Sequence, residues 1–374
     1  MRRLLIRGVL VLVSSAIAIL VAELAFRVHH FGWKAVSLAQ MRSVHPLGQS
    51  GMLRPLDYDR PRYGLKPGLK TIFKMADFET NSRGLRDREY ALQKPDGVYR
   101  IAVIGDSFTM GSGVPIEQVF HSVVETELNR GAGERQYEVL NFGVGGYGIR
   151  DYIGVLQHQL PAYDPDLVLI CLCGNDRTRE RKAPPKYREK PEDDYSLRFN
   201  LIDFLRRTHG AEALDEGALG KGLPLIDDET TAGQRALRTA LPLGVAAIPP
   251  SIRQDAAKGK PVRADGQPKE ESKARPKDAP IPGHLQQFFA ELHSAIQSAG
   301  VPAIMVGLAP HRQFEQACRD LGLEYTPVGK ALEGGMTEQY WIFKDDKHPN
   351  AAANELYAQA LLKHLKASEH LLSD

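Results

Sequence analysis

The chain has 374 residues, enough for one large domain with insertions or for two smaller ones. Hydrophobic residues at 43 % and charged residues at 25 % exclude wholesale disorder, and a net charge of +2 argues against a strongly electrostatic partner such as nucleic acid. The 3 cysteines, an odd number, do not describe a disulfide framework.

In chain order, Arg2, Arg3 and Arg7 precede an uncharged run from Gly8 to Ala22, and apolar character resumes through Phe26 around Glu23. A membrane span needs about 20 residues of this kind. The best small-x-small cleavage site, Ala16-Ile17-Ala18, lies inside the run, so cleavage there would leave Ile19, Leu20 and Val21 at a new N-terminus. The expectation is an uncleaved transmembrane anchor over residues 1–28, with its Arg-rich end in the cytoplasm and the rest of the chain outside.

From His29 to about Val98 the pattern is irregular, and Pro46, Pro55, Pro61 and Pro67 exclude a long helix. Thr71 to Phe78 reads as a strand, and Asn81-Ser82-Arg83-Gly84-Leu85 as a turn. Residues 29–98 are expected to be a linker and a small extension packed on the main domain, 99–370.

That domain alternates. Strands are expected at Arg100–Ile104, Glu138–Asn141, Leu167–Cys173, Pro302–Leu308 and Glu324–Thr326. Helices are expected at Pro115–Asn129, Arg150–Leu160, Pro282–Ala299 and Phe314–Leu321, with a last one capped by Asn350 and running to about Leu365. Such alternation implies a parallel sheet with helices on both faces. Between residues 177 and 281 the pattern fails, which implies an insertion, and the charged, proline-rich stretch 251–280 has almost nothing to bury and is expected to be mobile.

The chemistry starts at Gly105-Asp106-Ser107, on the turn that ends the first strand of the main domain. Open α/β proteins place ligands at the carboxyl ends of their strands. Serine needs a base to take its proton. His348, in Asp345-Asp346-Lys347-His348-Pro349-Asn350, is the best one. Asp345 stands three residues before it and is expected to hold the other imidazole nitrogen, with adjacent Asp346 the alternative.

Oxyanion donors are worth about 3–4 kcal/mol each. They are expected from Ser107 N–H, from the glycine-rich loop Asn141–Gly148 after the second strand, and from the Asn175 amide in Gly174-Asn175-Asp176 after the third. Tyr147, Asp176 and Arg177 flank these loops and are read as possible substrate contacts. Each element alone is weak, since such tripeptides and Asp-x-x-His pairs usually mark ordinary turns and surfaces. Their strength is in the combination and its order. Cys171 and Cys173 share one strand face and read as small hydrophobes, and Cys318 as inert. No pair among the 12 histidines has i, i+4 spacing with a nearby acid, so no metal site is expected.

From about Arg100 to Asp176 and from Pro302 to Leu365 the chain resembles the SGNH/GDSL serine hydrolases. The resemblance implies Ser107 as nucleophile and backbone donor, Asn175 as side-chain donor, and Asp345 with His348 as the Asp-x-x-His-Pro block. It places the glycine donor on Gly146, ahead of Gly145 and Gly143. Cys173 stands where the family's third block has a glycine. The implied fold is a three-layer α/β/α sandwich, flavodoxin-like, with a five-stranded parallel sheet, and no cofactor or metal is implied. The first hundred residues resemble a bacterial, membrane-anchored subgroup with an Asn-Ser-x-Gly-Leu-Arg stretch, here Asn81 to Arg86, read as a brace for the first strand or a substrate contact through Arg86.

The expected function is a serine esterase in the bacterial inner (cytoplasmic) membrane. Its substrate is a small acyl ester, such as acetyl, on an extracytoplasmic glycan or lipid. Acyl transfer to a glycan hydroxyl by the same residues is the near alternative, and a non-catalytic glycan-binding scaffold the distant one.

Overall fold

The computed structural model describes residues 2–130, 135–177, 281–344 and 346–372. The expected insertion, including the stretch 251–280, falls almost wholly outside these residues.

Helix α1, Arg2–Phe31, runs a few residues past the expected anchor. Its segment Leu5–Phe31 is long and apolar enough to cross a membrane, with an 18-residue window whose mean hydropathy is 2.5. The acid that interrupts the run, Glu23, accepts from Arg27 Nε at 2.7 Å one turn on, so the two charges enter the helix as a pair. A short helix α2, Leu38–Arg42, follows.

Residues 53–79 form two small antiparallel hairpins, β1 (Leu53–Pro55) with β2 (Tyr63–Leu65) and β3 (Lys70–Phe73) with β4 (Ala76–Glu79). The single strand expected over Thr71–Phe78 is thus corrected to a hairpin. Its turn is Lys74-Met75, with φ of 49° and 62°. Tight hairpin turns with two positive φ values are usually marked by Asn or Gly, and this one carries neither, so the sequence hides it.

The main sheet has five parallel strands: β5 (Val98–Ile104), β6 (Gln136–Asn141), β7 (Leu167–Leu172), β8 (Ala303–Gly307) and β9 (Glu324–Thr326). Their spatial order is β6-β5-β7-β8-β9. The connecting helices are α3 (Ser107–Met110), α4 (Phe120–Arg130), α5 (Ile149–His158), α6 (Gly283–Ala299), α7 (Arg312–Asp320) and α8 (Ala351–Ala367). Side chains alternate across the strands and build two cores. Ala102, Ile104, Val168, Ile170 and Leu172 pack with Tyr152, Val155, Phe289 and Phe314 of α5, α6 and α7. Ile101, Val103, Leu167, Leu169 and Cys171 pack with Phe120, Val124, Tyr357 and Leu361 of α4 and α8. Each fully buried aliphatic or aromatic side chain is worth about 1.5–3 kcal/mol, and burial on both faces is why β5 and β7 read as unbroken apolar runs. This is the expected α/β/α sandwich.

Register positions the site. Val103 lies opposite Asn141, and Ile104 opposite Ile170, so β5, β6 and β7 end level. The loops after them share the carboxyl end of the sheet, where the strand order reverses: β6 lies on one side of β5, and the chain crosses from it to β7 on the other. A last hairpin, β10 (Trp341–Phe343) with β11 (Asp346–Pro349), leads into α8 and carries His348.

Candidate active site

Ser107 is the first residue of α3. Asp106 caps that helix, its Oδ1 accepting from Phe108 N–H at 2.9 Å. Ser107 Oγ lies 2.8 Å from His348 Nε2. The two residues are 241 apart in the chain, and the level strand ends and the β10–β11 hairpin bring them together.

On the other side of the imidazole, Nδ1 hydrogen-bonds Asp346 Oδ1, which also accepts from His348 N–H at 3.2 Å. Asp345, expected in this place, lies outside the described residues. The carboxylate against Nδ1 is that of Asp346, and the reason is the strand. In extended backbone residues i and i+2 share a face, whereas a spacing of three, which suits a loop, crosses to the other. Burial pushes the Asp346 carboxyl up, but His348 and Lys74 beside it outweigh burial and hold it well below the usual carboxylate range.

Lys74, on the β3–β4 turn, was not singled out by any motif. Its Nζ lies 2.7 Å from Asp346 Oδ2 and 3.2 Å from His348 Nδ1.

The loop after β7 meets the same end of the sheet. Asn175 Nδ2 donates to Asp106 Oδ2 at 2.9 Å, and Cys173 Sγ lies 2.9 Å from that oxygen and 2.6 Å from Asn175 Oδ1. Burial pushes the Cys173 thiol up, with Asp106 and Asp176 adding to it, so the sulfur keeps its proton and donates. The cysteine thus fastens the nucleophile's cap to the Asn175 loop. The loop after β6 is anchored at Asn141, whose Oδ1 accepts from Gly143 N–H at 2.8 Å and whose Nδ2 donates to Thr109 O on α3 at 2.9 Å. Gly146 has φ +86°, a conformation that costs a side chain 1–2 kcal/mol or more. Its N–H has no acceptor among the described residues, which leaves it available to a ligand.

Residues 103–254 match the model of the GDSL-like Lipase/Acylhydrolase family. The chain carries a GDSL-like lipase/acylhydrolase domain. No curated protein matches the chain. Among solved structures it is similar to TesA (14 % identity, TM-score 0.36, 71 % of this chain and 98 % of that one). It is also similar to a variant of Axe2, an acetyl xylan esterase from Geobacillus stearothermophilus (13 % identity, TM-score 0.36, 71 % of this chain and 94 % of that one). A third likeness is to a lipolytic protein of the G-D-S-L family from Veillonella parvula (12 % identity, TM-score 0.36, 72 % of this chain and 100 % of that one).

In this GDSL domain two residues read as possible substrate contacts are turned inward, which corrects that expectation. Tyr147 is 1 % exposed and its hydroxyl donates to Tyr63 O on β2. Asp176 is also 1 % exposed, accepting from Tyr152 Oη at 2.9 Å and from Cys173 N–H at 2.8 Å. Both are parts of the frame that holds the loops. The Arg177 side chain lies outside the described residues.

Arg86, from the Asn-Ser-x-Gly-Leu-Arg stretch, braces α3 rather than β5 and is no substrate contact. It is 1 % exposed and donates to the carbonyls of Met110, Gly111 and Val114, while its guanidinium lies 4.4 Å from the centre of the Phe78 ring. Burial pulls its pKa down to about 9 against the pull of Glu117 and Asp87. Gly84 of the same stretch has φ +88°, and a Cβ there would sit 2.5 Å from Leu65 O, so only glycine fits. Arg86→Met, which keeps the apolar stem but strips the donor from the Met110 and Val114 carbonyls, is expected to lower stability by about 3–5 kcal/mol. Urea unfolding in detergent measures this, and a loss under about 1 kcal/mol would mean that water replaces the guanidinium.

Proposed function

We propose that the chain is a membrane-anchored serine esterase that removes a small acyl group, acetyl being the simplest, from a glycan or lipid outside the cytoplasmic membrane. In this reading α1 is the anchor, residues 29–98 the extension, and residues 99–370 the hydrolase domain with its insertion. The observation that carries the reading is the relay from Ser107 Oγ to His348 Nε2 at 2.8 Å and on through Nδ1 to the Asp346 carboxylate, set among three loops that end on one sheet edge.

In the first step Ser107 Oγ attacks the ester carbonyl carbon and its proton passes to His348 Nε2. Asp346 keeps Nδ1–H oriented and stabilises the imidazolium. In this reading the oxyanion is received by Ser107 N–H, Gly146 N–H and Asn175 Nδ2, the last of which donates to Asp106 Oδ2 at rest. Collapse breaks the bond to the alcohol, which leaves with the proton from His348. Water then repeats the sequence on the acyl-serine, releasing the acid and restoring Ser107.

The test uses the purified full-length chain in detergent with an acetylated glycan, with and without a deacetylated glycan as acceptor, alongside labelling by a fluorophosphonate probe. Acetate release at a rate independent of the acceptor, with one labelled serine at position 107, is expected. Acetyl recovered on the acceptor in place of acetate would make the chain a transferase. Folded protein that neither labels nor releases acetate would make it a binding scaffold.

A further inference from the structure

The β3–β4 turn adopts a conformation that its residues do not favour. Lys74 and Met75 both have positive φ, at 49° and 62°. The segment following α1 holds them there. Ser43 O accepts from Lys74 N–H at 2.7 Å, Ser43 Oγ accepts from Met75 N–H at 2.8 Å, and Lys34 Nζ donates to Met75 O at 3.3 Å. Ala35, Met41 and Met75 close into a small buried cluster beneath. Strain of this kind persists only where the surroundings over-determine it, and it concentrates at working sites. What the turn achieves is the placement of one ammonium group. Lys74 Nζ sits 2.7 Å from Asp346 Oδ2, with the two side chains 11 % and 24 % exposed.

We propose that Lys74 is a positioning residue of the hydrolytic machinery, fixing the Asp346 carboxylate on His348 and balancing the charge that the reaction creates. The proposal rests on the esterase reading for its kinetics, though not for its geometry. With Nδ1–H donated to Oδ1, the lysine donates to Oδ2, so both carboxylate oxygens are engaged and the plane of the carboxylate is set. Nδ1 carries the proton in this tautomer, so the 3.2 Å approach of Nζ to it is a contact of charge and dipole rather than a hydrogen bond.

Charge accounting gives the consequence. At rest Asp346 and Lys74 cancel. When the Ser107 proton moves to His348, an imidazolium and an oxyanion appear together, and the cluster remains neutral. Without Lys74 it would be negative at both stages, and that uncompensated charge would favour the imidazolium. The base would then stay protonated to a higher pH. The other charged groups on elements packed against His348 are Lys347 on its own strand, Asp106 at the head of α3, Lys344 at the end of β10 and Glu338 before β10. Lys344 is engaged with His29 Nε2 at 2.7 Å, Lys347 lies over the Trp341 ring and Asp106 is held by Asn175 and Cys173. Among the described residues Lys74 is the cation that reaches the relay.

The test is kcat/KM against pH for p-nitrophenyl acetate, on full-length wild type, K74M, K74Q, K74R and S43A in detergent. The acidic limb of K74M and K74Q is expected to move up by about one pH unit, so that at a fixed pH on the limb kcat/KM falls about tenfold. K74R restores the wild-type limb, and S43A, which loosens the turn, moves it the same way by less. The same samples labelled with 15N-histidine, with H348Q identifying the resonance, report the imidazole titration without any turnover. A wild type that is inactive but titrates differently from K74M would sink the esterase reading and leave this proposal standing. A limb and a titration unmoved in every folded variant would overturn it.

Discussion

Ser107→Ala and His348→Ala are each expected to lower kcat on an activated acetyl ester by about 10⁶-fold, and the double variant to be no worse than either alone. The reason is that Ser107 Oγ and His348 Nε2, 2.8 Å apart, share one proton. Removing the hydroxyl leaves the base nothing to activate, and removing the imidazole leaves the hydroxyl protonated. The second change therefore removes an interaction that is already gone. What survives is rate enhancement from substrate binding and the oxyanion donors, about 10³-fold over water. Both variants should fold, since each truncates a side chain that is only half-buried at the edge of the sheet. Initial rates at saturating ester, with fluorophosphonate labelling in parallel, measure the effect. Wild type labels fast, His348→Ala slowly and Ser107→Ala not at all. Retention of more than about 1 % of turnover by Ser107→Ala would require another nucleophile.

How much of this could be read in the sequence depended on whether the cause was local. Ile101–Ile104 and Leu167–Leu172 are apolar without interruption because both faces of their strands are covered, so the sheet was legible. Gly105-Asp106-Ser107 and Asn175 were legible because each follows such a strand, and His348 because it stands just before the helix that Asn350 caps. The short hairpins were not. β3, β4, β10 and β11 have three or four residues each, too few for alternation to stand out, and the β3–β4 turn lacks the usual glycine. Lys74 was invisible for a different reason. It meets Asp346 across 272 residues of chain, and nothing near it distinguishes it from a solvated lysine. Tyr147 and Asp176 were misread because their neighbours are loop residues. Tyr63 and Tyr152, from remote elements, turn them inward.

The acid of the relay was assigned on spacing, and its test has an effect nearly as large. Asp346→Asn is expected to lower kcat by about 10⁴-fold, with Asp345→Asn within about threefold of wild type. His348 Nδ1 meets Asp346 because β11 is extended, and positions two apart on a strand share a face. An amide at 346 retains the shape but presents either an oxygen or an N–H to Nδ1. Lys74, still donating, claims the amide oxygen and turns the N–H toward the ring. Nδ1 must then accept, the proton moves to Nε2, and the base can no longer take the Ser107 proton. The same substitution should change how stability depends on pH. Burial raises the Asp346 carboxyl, His348 and Lys74 together lower it further, and the folded-state pKa lies below that of the unfolded chain. A group of that kind contributes its full stabilisation above the unfolded carboxylate value of about 4 and loses it as pH falls toward the folded one. The difference in thermal unfolding between wild type and Asp346→Asn should therefore hold steady from neutral pH to about pH 4 and narrow only below it. If Asp345→Asn instead carries the rate loss, the hairpin is shifted by one residue in solution and Lys74 loses its partner with it.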